Sequence, residues 1–468
     1  MINYESDDFF VNINLKKEIS DRLLDYQFLH VFNLMTALSD FSTIFDGSDP
    51  GTGKTYTTTA LCKQLNLRPF IICSKIMISK WRYVCKYFNV NPLGIINYES
   101  IKLGKLIDKY GNRVNCDFIE TITLNGEIVD FHWKIPKYCI LVFDEVHKCK
   151  NRNSMNGKLL LSAKNSGKII MLSATISETP KDFHIFGFMI DLYKNLKQGN
   201  NWIKGALRED STYIGMTPKL SSINRQIFPS RGSRMMISEL GNKFPENKVT
   251  ADSYDIDEQF KEIVNKSFEM ITDGNSKIKS ALENNNNARI LGEIIKARRQ
   301  IEDAKIYVIE ELIKEYIYLG YSVVVFLNFR STIQKLAKIF NTKSIIQGNM
   351  DPTEQEDNLN KFQNNETNII ICSIKCNEGI DLHDLKGRKR VSLISPPFSS
   401  TCLKQTLGRI YRAGTLSNCL QKIIFCSGTV EEIICNRIKE KLNFLAKLND
   451  NDLTDITITN KNHQALLH

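Results

Sequence analysis

The sequence predicts an α/β protein of two tandem domains, each a parallel sheet flanked by helices, with a helical insertion between them. Two features point there. Short, strand-sized apolar runs recur in two groups along the 468 residues, each group alternating with helix-like segments. The runs are continuously apolar, as expected for strands buried on both faces of a parallel sheet. A chain of this length also fits two domains.

In chain order, the first group of strands is expected at Thr43–Phe45, Pro69–Cys73, Cys139–Phe143 and Lys168–Leu172. The second is expected at Ser322–Leu327, Ser344–Gln347, Asn368–Cys372, Val391–Ser395 and Lys422–Cys426. Between the groups the chain turns polar, and Glu258–Met270 and Ala288–Glu315 read as amphipathic helices. Leu124-Asn125-Gly126-Glu127 is a type I′ hairpin signal. Thr429-Val430-Glu431-Glu432 is a capping box that starts a helix toward Lys447. The expected division is therefore an α/β domain over 1–195, a helical insertion and linker over 196–300, a second α/β domain over 301–447, and a polar tail over 448–468.

Composition narrows the function classes. Apolar residues make up 42% of the chain, enough for ordinary cores, and the net charge of +10 suits a polyanionic partner such as nucleic acid. No apolar run approaches membrane-spanning length. The acidic start (Glu5, Asp7, Asp8) is unlike a secretory leader. The expected setting is soluble and intracellular. The twelve cysteines are scattered, many inside apolar runs, without zinc-site spacing; they read as buried thiols in a reducing compartment.

Two landmarks carry chemistry. Ser48-Asp49-Pro50-Gly51-Thr52-Gly53-Lys54-Thr55 follows an expected strand and opens an expected helix. Strand, glycine-rich turn, Lys-Thr and helix make a phosphate cradle. In it Gly51, Thr52 and Gly53 offer backbone N–H groups, Lys54 reaches the β/γ-phosphates and Thr55 can hold Mg²⁺. Ser48 stands where the opening glycine of such loops is usual. Asp144-Glu145 ends a strongly apolar run, and carboxylates placed there are costly unless they meet a metal or a cation. With Lys54 upstream, Asp144 is expected to order the Mg²⁺ shell and Glu145 to polarise the attacking water. Ser173 and Thr175 close the next expected strand. Gln405-Thr406-Leu407-Gly408-Arg409-Ile410-Tyr411-Arg412 sets two arginines three apart, on one face if helical.

The order of these pieces resembles superfamily 2 helicases and translocases, and more narrowly the chromatin-remodelling-like branch with its Asp-Glu-x-His box. It runs phosphate loop, Asp144-Glu145-Val146-His147, Ser173-Ala174-Thr175, then Gln405 to Arg412. Leu24-Asp25-Tyr26-Gln27 is similar to the family's adenine-reading motif. Ser74-Lys75 through Ser79-Lys80-Trp81 is similar to motif Ia, and Asn97-Tyr98-Glu99 to the strand-binding motif after it. Val323 to Phe329 is similar to motif IV. Cys372-Ser373-Ile374-Lys375 with Glu378-Gly379-Ile380-Asp381-Leu382 is similar to motif V, although Cys376-Asn377 replaces its usual small residues. Compact size and the segments at 228–234 and 448–450 look most like helicases of large DNA viruses and phages.

The resemblance implies two RecA-like domains with ATP in the cleft between them. Carried over by position, Lys54, Asp144, Glu145, Arg409 and Arg412 would be catalytic, the two arginines as fingers from the second domain. Gln27, Gly51, Thr52, Gly53, Lys54, Thr55, Gly379 and Asp381 would bind ATP, with Thr55 and Asp144 on Mg²⁺. His147, Ser173, Thr175 and Gln405 would couple hydrolysis to movement. Ser74, Lys75, Lys80, Arg330, Ser373 and Lys375 would meet the nucleic-acid backbone. The expected activity is ATP hydrolysis coupled to translocation on DNA, double-stranded DNA first, by a monomer in a host cytoplasm or a virion. A transcription-associated ATPase on RNA or polymerase complexes is the alternative, and a nucleotide-gated scaffold is disfavoured by the intact catalytic set. Protein partners from replication, repair or transcription machinery fit either motor.

Overall fold

A computed structural model describes residues 15–107, 112–174, 183–208, 221–240, 244–280, 287–348, 350–374, 380–397, 400–432 and 435–436. The chain forms two compact units that divide between Gly241 and Asn242. The first contains β1 (Thr43–Asp46), β2 (Arg68–Cys73), β3 (Gly94–Asn97), β4 (Lys105–Ile107), β5 (Arg113–Asn115), β6 (Ile119–Leu124), β7 (Glu127–Trp133), β8 (Cys139–Asp144), β9 (Lys168–Leu172) and β10 (Gly232–Ser233). The second contains β11 (Asn247–Tyr254), β12 (Ser322–Leu327), β13 (Ile345–Ile346), β14 (Ile369–Ser373), β15 (Arg390–Ile394) and β16 (Cys419–Cys426).

Each unit is built on one six-stranded sheet, ordered β10-β1-β9-β8-β2-β3 in the first and β11-β16-β15-β12-β14-β13 in the second. Every pairing within these two sheets is parallel. The two α/β domains expected from the apolar runs are therefore present, with strand ends moved by at most one residue except at β16, which starts three residues early.

The continuous apolar runs have the packing they imply. In the first sheet Phe45, Phe70, Ile72, Leu141, Phe143, Ile169 and Met171 enter one core cluster. Their neighbours Ile44, Ile71, Ile140, Val142, Ile170 and Leu172 enter another. Successive side chains point to opposite faces, so a strand apolar at every position has both faces covered. Each such side chain contributes about 1.5–3 kcal/mol of burial. The Asn-Gly signal makes the β6–β7 hairpin, with Asn125 at φ 53° and Gly126 at φ 82°.

The stretch read as a helical insertion holds the helices Leu196–Arg208, Ser221–Ile227, Glu258–Ser280 and Asn287–Ala304. It also supplies β10 to the first sheet and β11 to the second, both as edge strands. A two-residue Gly-Ser strand and a polar edge strand carry no apolar run, so no pattern marks them. The helix expected over Ala288–Glu315 is two helices, Asn287–Ala304 and Ile306–Tyr318. The polar tail and most of the helix after Thr429 lie outside the described residues. Among the described residues, no helix is long and apolar enough to cross a membrane, and the eleven described cysteines are all free, ten of them buried.

Candidate nucleotide site

β1, β9 and β8 are consecutive in the sheet, and their carboxyl ends carry the phosphate loop, Ser173 and Asp144-Glu145. Register aligns Leu172 with Asp46 on one side and Asp144 on the other. Pieces that lie far apart in sequence thus meet along one edge of a parallel sheet, the usual ligand edge of such folds.

The loop between β1 and the helix Lys54–Gln64 is braced from several sides. Gly53 sits at the helix N-cap with φ 99°. A Cβ there would lie 2.3 Å from Gln27 Nε2, so the position takes a residue without a side chain. Gln27 is 4% exposed; its Nε2 donates to the Thr52 carbonyl at 2.9 Å and its Oε1 accepts from Leu24 N at 3.0 Å. The glutamine expected at adenine therefore also clamps its helix to the loop. Lys54 Nζ donates to the carbonyls of Ser48 (2.7 Å) and Asp49 (3.2 Å). A bare glycine turn with the lysine folded onto its own carbonyls fits a triphosphate that would take over those contacts.

Ser48 has a defined task. Its hydroxyl donates to Asp46 Oδ1 at 2.6 Å and accepts from Met235 N at 3.0 Å. Its backbone N also donates to Asp46 Oδ1, at 3.0 Å. The other oxygen of Asp46 lies 3.1 Å from His30 Nε2, and His30 Nδ1 lies 2.8 Å from Ser233 Oγ. All four side chains are buried. Burial pushes the Asp46 carboxyl up, but His30, Lys54 and Ser48 outweigh it and hold the group below the usual carboxylate range. Asp49 N and Gly47 N add backbone bonds to Met235 and Ser233. The β10 segment thus backs the phosphate loop, a role no sequence signal announced.

At the end of β8, Asp144 is 6% exposed; Trp81 Nε1 donates to its Oδ2 at 2.8 Å, and Tyr98 Oη donates to its carbonyl at 2.9 Å. Glu145 is left-handed (φ 52°, ψ 50°), a conformation that costs a non-glycine residue about 1–2 kcal/mol. Strain of this kind concentrates at functional sites. His147 Nδ1 stands 3.3 Å from Glu145 Oε2 and 3.2 Å from Ser173 Oγ. One imidazole therefore links the expected water-polarising carboxylate to the serine after β9.

In the second unit, the helix Ser400–Leu407 ends before the arginines, so Arg409 and Arg412 lie in the turn and loop that follow. The chain leaves the helix because its backbone bonds go elsewhere. Arg409 O accepts from Leu382 N at 3.0 Å, and Arg412 N donates to Thr415 Oγ1 at 3.1 Å. Arg412 Nη1 pairs with Asp381 Oδ1 at 2.7 Å, and its Nη2 donates to Ile380 O at 3.2 Å. Arg409 is 3% and Gln405 5% exposed. Asp381, expected at the nucleotide, meets Arg412. Thr175, Lys375 and Gly379 lie outside the described residues.

Of the expected backbone contacts, Ser74 follows β2 and Ser373 ends β14. Lys75 is exposed, and Lys80 Nζ lies 5.5 Å from the centre of the Tyr56 ring. Arg330 opens the helix Arg330–Ile339 and lines a surface cavity of about 440 Å³ with Lys296, Arg299, Phe329 and Ser331. Lys296 and Arg299 were missed because an amphipathic helix presents such residues as an ordinary solvated face. Glu302 was missed for the same reason. It is 2% exposed and accepts from Asn328 N (2.8 Å) and Phe329 N (3.1 Å), fixing the turn that carries Arg330.

The model of the helicase conserved C-terminal domain matches residues 304–414, a span that includes Asp381, Arg409 and Arg412. A putative ATP-dependent RNA helicase of Acanthamoeba polyphaga mimivirus is 32% identical, over 95% of this chain and 87% of the relative. Among solved structures, the SWI2/SNF2 ATPase core of Sulfolobus solfataricus in complex with dsDNA is 18% identical, with a TM-score of 0.35, over 90% of this chain and 92% of that one. The chain belongs to the ATP-dependent helicases of superfamily 2, is related to a viral member of that family, and is an ATP hydrolase that works on nucleic acid.

Proposed function

We propose that the protein couples ATP hydrolysis to movement along double-stranded DNA. The observation that carries the ATPase part is the alignment of β1, β9 and β8, which sets phosphate loop, serine and paired carboxylates along one sheet edge. In this reading Lys54 leaves the carbonyls of Ser48 and Asp49 for the β/γ-phosphates. Glu145, held by His147, orients the attacking water, and Arg409 and Arg412 neutralise charge that builds in the transition state. Asp144 and Thr55 are the residues that would hold Mg²⁺, which supplies charge neutralisation on the phosphates when bound with the nucleotide.

The cations at the cavity beside Arg330 support a backbone-binding role. Lys296, Arg299 and Arg330 gather beside one another on a surface where phosphate contacts need charge and no base reading. Duplex DNA is preferred as the track because the order of the motifs resembles the chromatin-remodelling-like branch. RNA is the second reading, favoured by the mimivirus relative, which is named as an RNA helicase.

The test is ATP turnover by the purified protein with duplex DNA, single-stranded DNA and RNA, each at low and moderate salt. Stimulation by duplex DNA that fades with salt is expected. Stimulation by RNA alone would move the assignment to the second reading, and no stimulation by any of the three would remove the motor.

A further inference from the structure

We infer that Trp81 is a positioning residue for the metal-nucleotide carboxylate Asp144. With Tyr98 it ties the ATPase centre to the two segments that would meet the nucleic-acid strand. This rests on the function proposed above.

Trp81 lies in the helix Met77–Tyr87, which follows β2, and Tyr98 opens the short helix Tyr98–Ile101, which follows β3. β8, β2 and β3 are neighbours in the sheet, so both crossovers deliver an aromatic side chain to the end of β8. Each is 1% exposed. The indole N–H, a group that only donates, is spent on Asp144 Oδ2 at 2.8 Å. A donor on one carboxylate oxygen fixes the plane of the group, as partners of metal-binding carboxylates do.

Tyr98 acts on the backbone of the same residue, its hydroxyl donating to the Asp144 carbonyl at 2.9 Å. The carbonyl it holds immediately precedes the left-handed Glu145. Trp81 therefore sets the side chain of Asp144 and Tyr98 sets the peptide that turns Glu145. The loop before the first helix carries Ser74 and Lys75, and the strand end before the second carries Asn97; these positions resemble strand-contacting motifs. A shift of either segment on strand binding would be felt at Asp144 through one hydrogen bond.

Core packing alone would also bury Trp81, which belongs to the apolar cluster of the first sheet. Trp81→Phe separates the two roles, since it keeps most of the apolar ring and loses the N–H. The readout besides turnover is Mn²⁺ bound to the protein–ADP complex, measured by electron paramagnetic resonance, beside ADP binding in chelator. For Trp81→Phe we expect Mn²⁺ retention to weaken about tenfold, the low end for loss of a metal ligand's partner. ADP affinity without metal should not move, and nucleic-acid stimulation should drop by a similar factor. Trp81→His keeps a ring N–H and should recover part of the Mn²⁺ affinity; it also serves if the phenylalanine variant does not fold.

Unchanged Mn²⁺ retention in folded Trp81→Phe would reduce Trp81 to a core residue. Equal losses in the Phe and His variants would also overturn the hydrogen-bond role. Failure of the motor reading would look different: the wild-type protein would show no nucleic-acid stimulation, while the Mn²⁺ comparison would still decide the role of Trp81.

Discussion

Lys54 in the first unit and Arg412 in the second carry the same charge and rest on different partners. Lys54 donates to two neutral carbonyls of its own loop. Arg412 is paired with the carboxylate of Asp381 at 2.7 Å. Both donors are cations, but only Arg412 faces an opposite charge, so the lysine can pass to a phosphate with less loss than the arginine, which is held where its partner puts it. The phosphate loop is thus a receiving site, shaped in advance and loosely tenanted by its own lysine. The arginine loop is an oriented group whose direction is set inside its own unit.

The largest effect separates these two roles. If Lys54 meets the ground-state phosphates as proposed, Lys54→Ala should lower nucleotide affinity and turnover together. Arg412→Ala should leave nucleotide affinity near wild type and lower kcat by about 10³–10⁵, the range for arginine fingers in other NTPases. Nucleotide titration beside steady-state kinetics checks the split. Loss of affinity in Arg412→Ala without loss of kcat would erase the contrast.

A smaller effect tests the Asp381 partner. If Asp381 orients Arg412, Asp381→Asn keeps the shape, weakens the pair and should lower kcat about tenfold with KM unchanged, as loss of an orienting partner typically does. A rise in turnover without nucleic acid would show instead that Asp381 restrains the arginine.

The same contrast explains what could be read from the sequence. Lys54, Asp144 and Glu145 stand out as candidates because their signal is local: a glycine turn or a carboxylate pair stands at the end of an apolar run. The two sheets are legible because strands buried on both faces show no polar break. The supports are not legible. Ser48 acts through His30, Asp46 and Met235, the last 187 residues away. Trp81 meets Asp144 across 63 residues, and Glu302 sits in a helix where Glu293, Lys296, Arg299 and Asp303 are exposed. Each is an ordinary residue type whose role appears only when strand order brings its partner near. The arginine loop was half legible: its residue types were visible, but one of the bonds that turn the chain after Leu407 comes from the distant backbone of Leu382.

The smallest effect concerns Ser48, where the sequence departs from the usual glycine. Its hydroxyl joins Asp46 to Met235, so Ser48→Ala removes a bond to a buried carboxylate and strands a backbone N–H. Loss of such a bond costs about 1–3 kcal/mol of stability. The pH dependence then tells which partner matters. His30, Lys54 and Ser48 hold Asp46 below its unfolded value of 3.8. Its stabilisation is therefore complete above that value and is lost as pH falls through the lower, folded one. Part of what Ser48 contributes is a bond to the ionised form. The gap between wild type and Ser48→Ala should therefore hold steady above Asp46's unfolded value of 3.8 and narrow only below it, in denaturant melts followed from neutral pH as far into acid as the protein stays folded. A gap that stays constant across that range would mean that Ser48 works only through Met235, and that the carboxylate beneath the phosphate loop does not depend on it.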